Sequence, residues 1–171
     1  MKTKTIVFTI VALLLGVKSF AQVEISKAEA LFIYNFTKGI SWPESSLKGE
    51  FVIGVVGDKD LYNELDALTK NKNVGMNKIS VKYFAKPTEV SDSHILIVGD
   101  RYASNFEQIK LAVGSFPSLL INTRDGMTSK GSGINFRVVD DKMKFVMSKS
   151  NIKNCGLVID SRLEKMAILV D

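Results

Sequence analysis

The stretch FVIGVVGD, residues 51–58, decides the fold of this 171-residue chain. A run of apolar residues and glycine, rich in valine, continues without polar interruption and ends at Gly57, which is typical of a strand buried on both faces. Two later stretches repeat the pattern: HILIVGD at residues 94–100 and SLLIN at residues 118–122. The chain therefore contains three short strands that belong in the centre of a covered sheet.

Stretches with helical spacing lie between these strands. Leucines recur at helical intervals over residues 61–68, and an apolar stripe over residues 102–113 ends at Gly114. Residues 79–83 instead alternate apolar and polar side chains, which predicts a half-buried strand. Strands that alternate with helices predict βα units and a mostly parallel sheet with helices on its faces.

The C-terminal part of the chain has a different pattern. INFRVV and MKFVMS flank Asp140, Asp141 and Lys142, which predicts an antiparallel hairpin. A short helix that stops at Gly156 and a final helix over about residues 162–169 are expected after it. We predict an α/β fold in a single three-layer domain, with a mostly parallel covered sheet, a C-terminal antiparallel hairpin and flanking helices.

The first residues are expected to be a signal peptide, and the domain is expected to span residues 22–171. Lys2 and Lys4 precede an uncharged apolar run over residues 6–17, and Ser19-Phe20-Ala21 places small residues where a signal peptidase cleaves. The run is shorter than the roughly 20 residues that a helix needs to span a bilayer. We therefore expect a cleavable signal over residues 1–21, a periplasmic location and no stable membrane insertion.

Removal of this segment changes the charge of the protein. Without Lys2, Lys4 and Lys18, the chain keeps 20 basic residues against 18 acidic ones, so the formal charge falls from +5 to +2. The remaining basic residues are scattered along the chain and form no cluster. Since nucleic-acid binding requires a concentrated basic patch, no nucleic-acid partner is expected.

Residues that carry chemistry are sparse. His94 is the only histidine and Cys155 the only cysteine, so neither a catalytic triad nor a metal site can be assembled from the pattern. The glycine-rich KGSGINF at residues 130–136 leads into the hairpin, which favours entry into a strand over an anion-binding loop. We predict no enzyme activity, no metal and no cofactor. Cys155 is either a small buried residue or free to pair with another chain.

Charged residues follow the ends of the apolar strands. Asp58 follows the first strand, Asp100 and Arg101 the second, and Arg124 the third. The carboxyl ends of parallel strands meet at one edge of a sheet, where doubly wound folds usually bind their ligands. Two interpretations stay open: these residues form a small-ligand edge, or the aspartates only cap the helices that follow.

The helix before the first strand carries a second candidate surface. Ser26-Lys27-Ala28-Glu29 has the pattern of a capping box, and a helix over about residues 27–40 is expected to end near Gly39 and Pro43. On a helical wheel, the phenylalanines and isoleucines of LFIYNFTKGISWP, residues 31–43, face the core. Apolar residues also occur on the opposite face. This outer patch comprises Leu31, Tyr34, Lys38 and Trp42.

Two interpretations of the outer patch are open. Either the C-terminal helix, with Leu163 and Met166, covers it, or the patch stays exposed and meets a partner or a second copy of the chain. Aromatic residues such as Tyr34 suit the second role because they combine a large apolar area with a polar group.

An ordered set of motifs that spans essentially the whole expected mature chain resembles a known family. The motifs are ALFIYNFTKGISWP, FVIGVVGD, HILIVGD, GSGINFRV and KMKFVMSKSNIKNCGLVIDSRLEKMA. They are similar to those of the YfiR family of secreted bacterial proteins. Members of that family share a helix that ends in a Trp-Pro corner, a glycine-rich stretch before an Ile-Asn-Phe strand, and a final Gly-Leu-x-Ile-x-Ser-x-Leu segment, here residues 156–163.

The resemblance implies a compact periplasmic α/β protein, often dimeric and without catalytic activity. The best-known members bind the periplasmic domain of an inner-membrane diguanylate cyclase and hold it inactive, so that cyclic-di-GMP output and biofilm formation rise on release. Other members are expected to act on other membrane sensors, such as histidine kinases. The resemblance identifies no individual partner-contact residue.

This chain departs from the family pattern at two places. Some members form disulfides that tie stability to redox state, but here Ser93 stands before the apolar strand and Cys155 has no mate, which excludes an internal disulfide. The usual Asn-Leu after the last hairpin strand is Ser148-Lys149, so the local helix cap is expected to differ.

The sequence thus predicts a periplasmic regulatory binding protein that controls a diguanylate cyclase or a sensor histidine kinase by binding its periplasmic domain. A homodimer is a second expected partner. The alternative is a periplasmic small-ligand sensor that uses the strand-end edge near Asp58, Asp100 and Arg124.

Overall fold

Ten strands and five α-helices occur in the computed structural model over the residues it describes, 24–170. The expected signal peptide, residues 1–21, lies outside these residues. The strands are β1 (Ile40–Ser41), β2 (Phe51–Val56), β3 (Asn73–Val74), β4 (Asn77–Phe84), β5 (Ile95–Val98), β6 (Leu119–Asn122), β7 (Ile134–Val139), β8 (Lys142–Ser148), β9 (Val158–Ile159) and β10 (Ile168–Val170). The helices are α1 (24–39), α2 (Lys59–Thr69), α3 (Phe106–Val113), α4 (Lys149–Asn154) and α5 (Ser161–Glu164).

Eight of the strands form one sheet in the order β10-β8-β7-β6-β5-β2-β4-β3. β4, β2, β5, β6 and β7 run parallel to one another, whereas β7 and β8 form an antiparallel hairpin. Asp140 and Asp141 turn this hairpin with φ of 51° and 55°, the left-handed conformation that tight two-residue turns require. The mostly parallel, covered sheet and the C-terminal hairpin that the sequence predicts are confirmed.

The two faces of the sheet are buried in separate cores, because successive strand residues point to opposite sides. Phe51, Ile53 and Val55 of β2 pack with α1 and α2, whereas Val56 packs with α3 on the other face. The three layers expected from the sequence are therefore helices, sheet and helix. None of the helices in the described residues is long and apolar enough to cross a membrane.

Both ends of the expected first helix differ from the prediction. Residues 24 and 25 are already helical, so Ser26 lies within α1 and does not cap it. The Ser26 hydroxyl is buried and has no hydrogen-bond partner among the described residues. At the other end, Ile40 leaves the helix and begins β1, which pairs with β9 from the C-terminal part of the chain.

The prediction of a final helix over residues 162–169 is wrong. α5 contains only Ser161–Glu164, with the Asp160 carboxylate accepting a hydrogen bond from the backbone N–H of Arg162 as its cap. Residues 168–170 then pair in parallel with β8 as the strand β10. The β-forming sequence Ile-Leu-Val reaches the exposed edge of β8, and pairing at that edge replaces the helix that local pattern alone favours.

Candidate interaction surface and strand-end edge

The outer face of α1 presents an aromatic ring between two lysines. Leu31 is 53% exposed, and it lies one turn before Tyr34 and two turns before Lys38 on the same helix. The ammonium groups of Lys38 and of Lys72, which follows α2, lie 4.4 and 4.1 Å from the centroid of the Tyr34 ring. These cation–π contacts hold the ring in place at the surface.

Trp42 does not lie on this surface. Its side chain is only 7% exposed and packs edge to face on Phe51, with ring centroids 4.8 Å apart. Its indole N–H donates to the carbonyl oxygen of His94 at 3.0 Å. The structure therefore brings Leu31, Tyr34 and Lys38 together on the outer face of α1 and places the fourth residue of the predicted patch in the core.

His94 is a structural residue beside Trp42. Its Nδ1 accepts a hydrogen bond from the backbone N–H of Val52 at 3.0 Å, which leaves Nε2 to donate to the carbonyl oxygen of Ser46 at 3.0 Å. The imidazole also stacks on Phe51, with the ring centroids 4.5 Å apart. Both ring nitrogens are thus engaged, Nδ1 with β2 and Nε2 with the segment before β2.

An apolar groove runs between α1 and α5, next to the outer face of α1. It has a volume of about 300 Å³. Phe32, Phe36 and Phe145 form its base; the Phe145 ring centroid lies 5.6 Å from that of Phe32 and 5.0 Å from that of Phe36. Met166 lines the groove and is 66% exposed. We call this feature the α1–α5 groove.

α5 covers only part of α1. Leu163 packs against Gly39, since a Cβ atom at Gly39 would lie 2.9 Å from a methyl group of Leu163. α5 ends one residue later, so Met166 stands at the rim and does not cover Leu31. The helical wheel places Phe32 wholly in the core because its position faces inward, and it carries no signal for the gap that a short α5 leaves.

The rim of the groove is charged. Lys38 lies on one side, and Asp160 and Arg162 lie on the other. The Arg162 guanidinium donates to both carboxylate oxygens of Asp160, at 3.1 and 2.8 Å, which holds the pKa of Asp160 at about 2. Asp160 is therefore ionised and paired with Arg162, whereas the ammonium groups of Lys38 and Lys72 lie over the Tyr34 ring.

The predicted strand-end edge is present, and its charged residues are paired with near neighbours. The Asp58 carboxylate accepts from the Leu61 N–H at 3.0 Å and so caps α2. The Arg124 guanidinium donates to the Asp100 carboxylate at 2.6 Å. Arg101 lies 5.5 Å from the centroid of the ring of its neighbour Tyr102. The structure brings Asp100 and Arg124 together and keeps Asp58 in its capping role.

Tyr102 fills the crevice where a ligand would enter between β2 and β5. Its ring lies directly over Gly57, which has φ of +72° and no side chain to obstruct it. Its hydroxyl donates to the carbonyl oxygen of Ala85 at 3.0 Å. A doubly wound sheet usually binds ligands at this reversal of strand order. Here a side chain of the chain itself occupies the position.

Two carboxyl groups near this edge have raised pKa values. Glu29 of α1 is 4% exposed, and burial, with a smaller contribution from the charge of Asp58, raises the pKa of Glu29 from 4.5 to about 8. Burial also raises the pKa of Asp58, against the opposing effect of its hydrogen bond from Leu61. Among residues 24–170, no group of three or more histidine, cysteine, aspartate or glutamate side chains is placed to hold a metal ion.

The fold and surface define a class: a doubly wound, three-layer α/β protein with an apolar groove at the outer face of its first helix. The chain belongs to the YfiR/HmsC-like family, whose profile matches residues 26–168. At the level of the family, these proteins are periplasmic regulators rather than enzymes. The resemblance seen in the sequence motifs is thereby confirmed.

Comparison with solved structures shows a protein of similar fold. A solved structure described as a conserved domain protein from Vibrio cholerae O1 biovar eltor str. N16961 is similar, with a TM-score of 0.51 and 13% identity, over 71% of this chain and 55% of that chain. The present chain thus spans about half the length of that protein. No curated protein matches the chain.

Proposed function

We propose that this protein is a periplasmic regulator that binds the periplasmic domain of an inner-membrane signalling protein, a diguanylate cyclase or a sensor histidine kinase. Membership of the YfiR/HmsC-like family supports the general role. The observation that carries the proposal is the α1–α5 groove with the adjacent outer face of α1, where aromatic and apolar side chains stay open to solvent.

The chemistry of this surface indicates what its partner presents. Leu31 and Met166 are each more than half exposed, and Met166 lines a groove with an aromatic base, an arrangement that fits an apolar anchor on the partner. Lys38 and Lys72 lie beside them and would meet acidic residues around that anchor. We therefore expect a partner segment with one or two large apolar side chains flanked by carboxylates.

Regulation follows from binding one state of the partner better than the other. The proposed role is binding without a chemical reaction, so the effect of the protein on its partner would be an equilibrium effect. A binder that prefers the inactive conformation of a sensor domain shifts that domain toward inactivity, by no more than its difference in affinity for the two states. Release would raise the output, which is cyclic-di-GMP and biofilm formation if the partner is a cyclase.

The experiment compares three single variants of the mature protein, residues 22–171. Leu31→Arg and Met166→Asp place charges at the proposed surface, and Leu111→Arg is the matched control, because Leu111 is 80% exposed on α3 across the sheet. Tagged protein is used to capture partners from detergent-solubilised inner membranes. Binding is then measured with the purified periplasmic domain of the captured signalling protein.

The parent and Leu111→Arg are expected to bind equally, and each surface variant about tenfold or more weaker, with unchanged thermal midpoints. Equal binding by all four proteins would assign the contact to another surface. Capture of no signalling protein, together with self-association that Leu31→Arg abolishes in sedimentation experiments, would overturn the proposed partner and make this face a homodimer interface.

A further inference from the structure

A second cavity lies at the other edge of the sheet, where the parallel strands begin. It has a volume of about 340 Å³, within the range of small-molecule sites. Its walls come from the C-terminal end of α3, the start of β6, Gly131 and α4. The lining includes Lys110, Val113, Phe116, Ser118, Leu120 and Cys155.

Ser118 gives this cavity an unused hydrogen-bonding group. Its side chain is buried, and its hydroxyl has no partner among the residues that the structure describes. Ser118 stands two positions before Leu120, which also lines the cavity, so both side chains project from the same face of the strand. An unpaired buried hydroxyl destabilises the folded state. A ligand that hydrogen-bonds to this hydroxyl would remove that penalty, which makes binding more favourable.

The charge of the cavity has one sign. Lys110 contributes an ammonium group, and no aspartate or glutamate within residues 24–170 lines the wall. The nearest carboxylate contact of that ammonium, to Glu107, is 4.0 Å long and largely exposed. Gly131 makes room for the lysine, since a Cβ atom there would lie 2.7 Å from its Nζ. The cavity is therefore suited to an anion.

The remaining wall is apolar and held in place. Val113, Phe116 and Leu120 contribute hydrocarbon surface. Asn151 donates from its amide nitrogen to the carbonyl oxygens of Thr128 and Ser132, at 2.8 and 2.9 Å, which fixes α4 against the loop before β7. A site with preformed walls binds without a large loss of conformational entropy.

We propose that this cavity binds a small organic carboxylate. The carboxylate group lies at Lys110 and accepts a hydrogen bond from Ser118, and the hydrocarbon part packs on Val113, Phe116 and Leu120. A molecule of roughly ten non-hydrogen atoms suits such a volume. This site is separate from the α1–α5 groove and from the strand-end edge, and it goes beyond the proposed regulatory function.

Cys155 provides a natural reporter for the test. It is the only cysteine of the chain, it lines the cavity and it is partly exposed. Burial raises the pKa of its thiol, with Lys110 opposing the shift. Because Cys155 lines the cavity, a molecule bound there should slow its alkylation, and mass spectrometry can follow a single site.

The probes are phenylacetate and 4-methylpentanoate, each compared with its amide, which has the same shape and no charge. Alkylation of Cys155 by N-ethylmaleimide is measured against probe concentration, together with the thermal midpoint. Both carboxylates are expected to slow alkylation saturably and to raise the midpoint, as a ligand that binds only the folded state does. The amides should require about tenfold higher concentration or more.

Variants separate binding from folding. Lys110→Met keeps most of the side-chain volume and should weaken carboxylate binding about tenfold. Ser118→Ala should weaken it several-fold without loss of stability, because the substitution removes an unpaired buried hydroxyl. Lys82→Met, on the exposed side of β4, is the matched control and should bind like the parent. Protection by neither carboxylate, equal protection by the amides, or normal binding by Lys110→Met would overturn the proposal.

Discussion

Glu29 is the residue at which burial and charge conflict most strongly. It lies on the inner face of α1 with 4% exposure. Its pKa is 4.5 in the unfolded chain and about 8 in the folded protein, raised by burial and then by Asp58. Between these pH values the folded protein holds a proton that the unfolded chain has released, so stability falls as the pH rises through this window.

Glu29→Gln should remove this pH dependence. At pH 5 the variant and the parent should have similar free energies of unfolding, because Glu29 is protonated in the folded parent. At pH 8 the variant should be more stable by on the order of 2 kcal/mol, since no charge has to be buried. Urea unfolding at the two pH values measures the difference.

The comparison depends on the difference between variant and parent, since other groups also titrate over this range. Glu44→Gln changes an exposed glutamate and should follow the parent at both pH values. A Glu29→Gln variant that differs from the parent equally at pH 5 and pH 8 would show that Glu29 is not protonated in the folded protein.

Single residues show where the sequence is a limited guide. The helical wheel correctly places Ile33 and Phe36 in the core, because their positions follow from helical period alone. It cannot show that Trp42 is buried, because that depends on the carbonyl of His94, which accepts the indole N–H across the sheet. The pairing of Asp100 with Arg124 likewise requires knowledge of which strands are neighbours.

At the scale of elements, the close packing of α1 on α5 depends on Gly39. The contact places the Leu163 side chain where a Cβ atom of residue 39 would otherwise lie. The backbone N–H of Asp160 also donates to the carbonyl oxygen of Gly39 at 2.9 Å, which joins the end of α1 to the start of α5. This joint fixes the width of the α1–α5 groove.

Gly39→Ala should therefore destabilise the protein, although alanine favours helix formation. The added methyl group would lie 2.9 Å from a Leu163 methyl group, so α5 must move or Leu163 must change rotamer, at a cost of about 1 to 3 kcal/mol. Chemical denaturation gives the change in stability. At Gly75 no heavy atom lies within 4 Å of an added methyl group. Gly75→Ala therefore reports the effect of backbone strain without a steric clash, since φ of Gly75 is 57°.

A further variant tests the cause. The double variant with Gly39→Ala and Leu163→Ala should lose less stability than the sum of the two single losses, because the added methyl group then meets a smaller neighbour. Two substitutions that simply add would mean that the side chains at residues 39 and 163 do not compete for space.

Elements with a strong hydrophobic pattern of their own can be predicted from the sequence. Elements whose conformation depends on a neighbouring element of the same chain cannot. The apolar runs of β2, β5 and β6 identify buried strands by themselves. β10 reads as part of a helix, because only its neighbour β8 supplies the backbone groups that make it a strand. The α1–α5 groove cannot be predicted from the sequence for the same reason, since it results from the early end of α5.

At the scale of the whole molecule, β10 protects an edge of the sheet. It pairs in parallel with β8 over Val146, Met147 and Ser148, and it lies outermost in the strand order. Without it, the backbone of a long, half-apolar strand would be open to pairing with other chains.

Truncation after Ala167 should lower the free energy of unfolding by roughly 2 to 4 kcal/mol, because it removes the packing and hydrogen bonds of β10. It should also increase aggregation, followed by light scattering and thioflavin T fluorescence. Leu169→Lys keeps the backbone of β10 and changes a partly exposed side chain, so it should remain soluble. A truncated protein as soluble and stable as the parent would show that β8 needs no cover.

The pairing of β1 with β9 has a consequence for how the chain reaches this structure. Ile40 pairs with Ile159, and Gly39 packs on Leu163, so the first helix of the described chain is completed by segments near its far end. A chain made or threaded from its N-terminus cannot complete the packing of α1 until those late segments are also free. Contacts so distant in sequence fold slowly. The emerging chain should therefore stay open for most of its synthesis, which is the condition that passage through a narrow export channel requires.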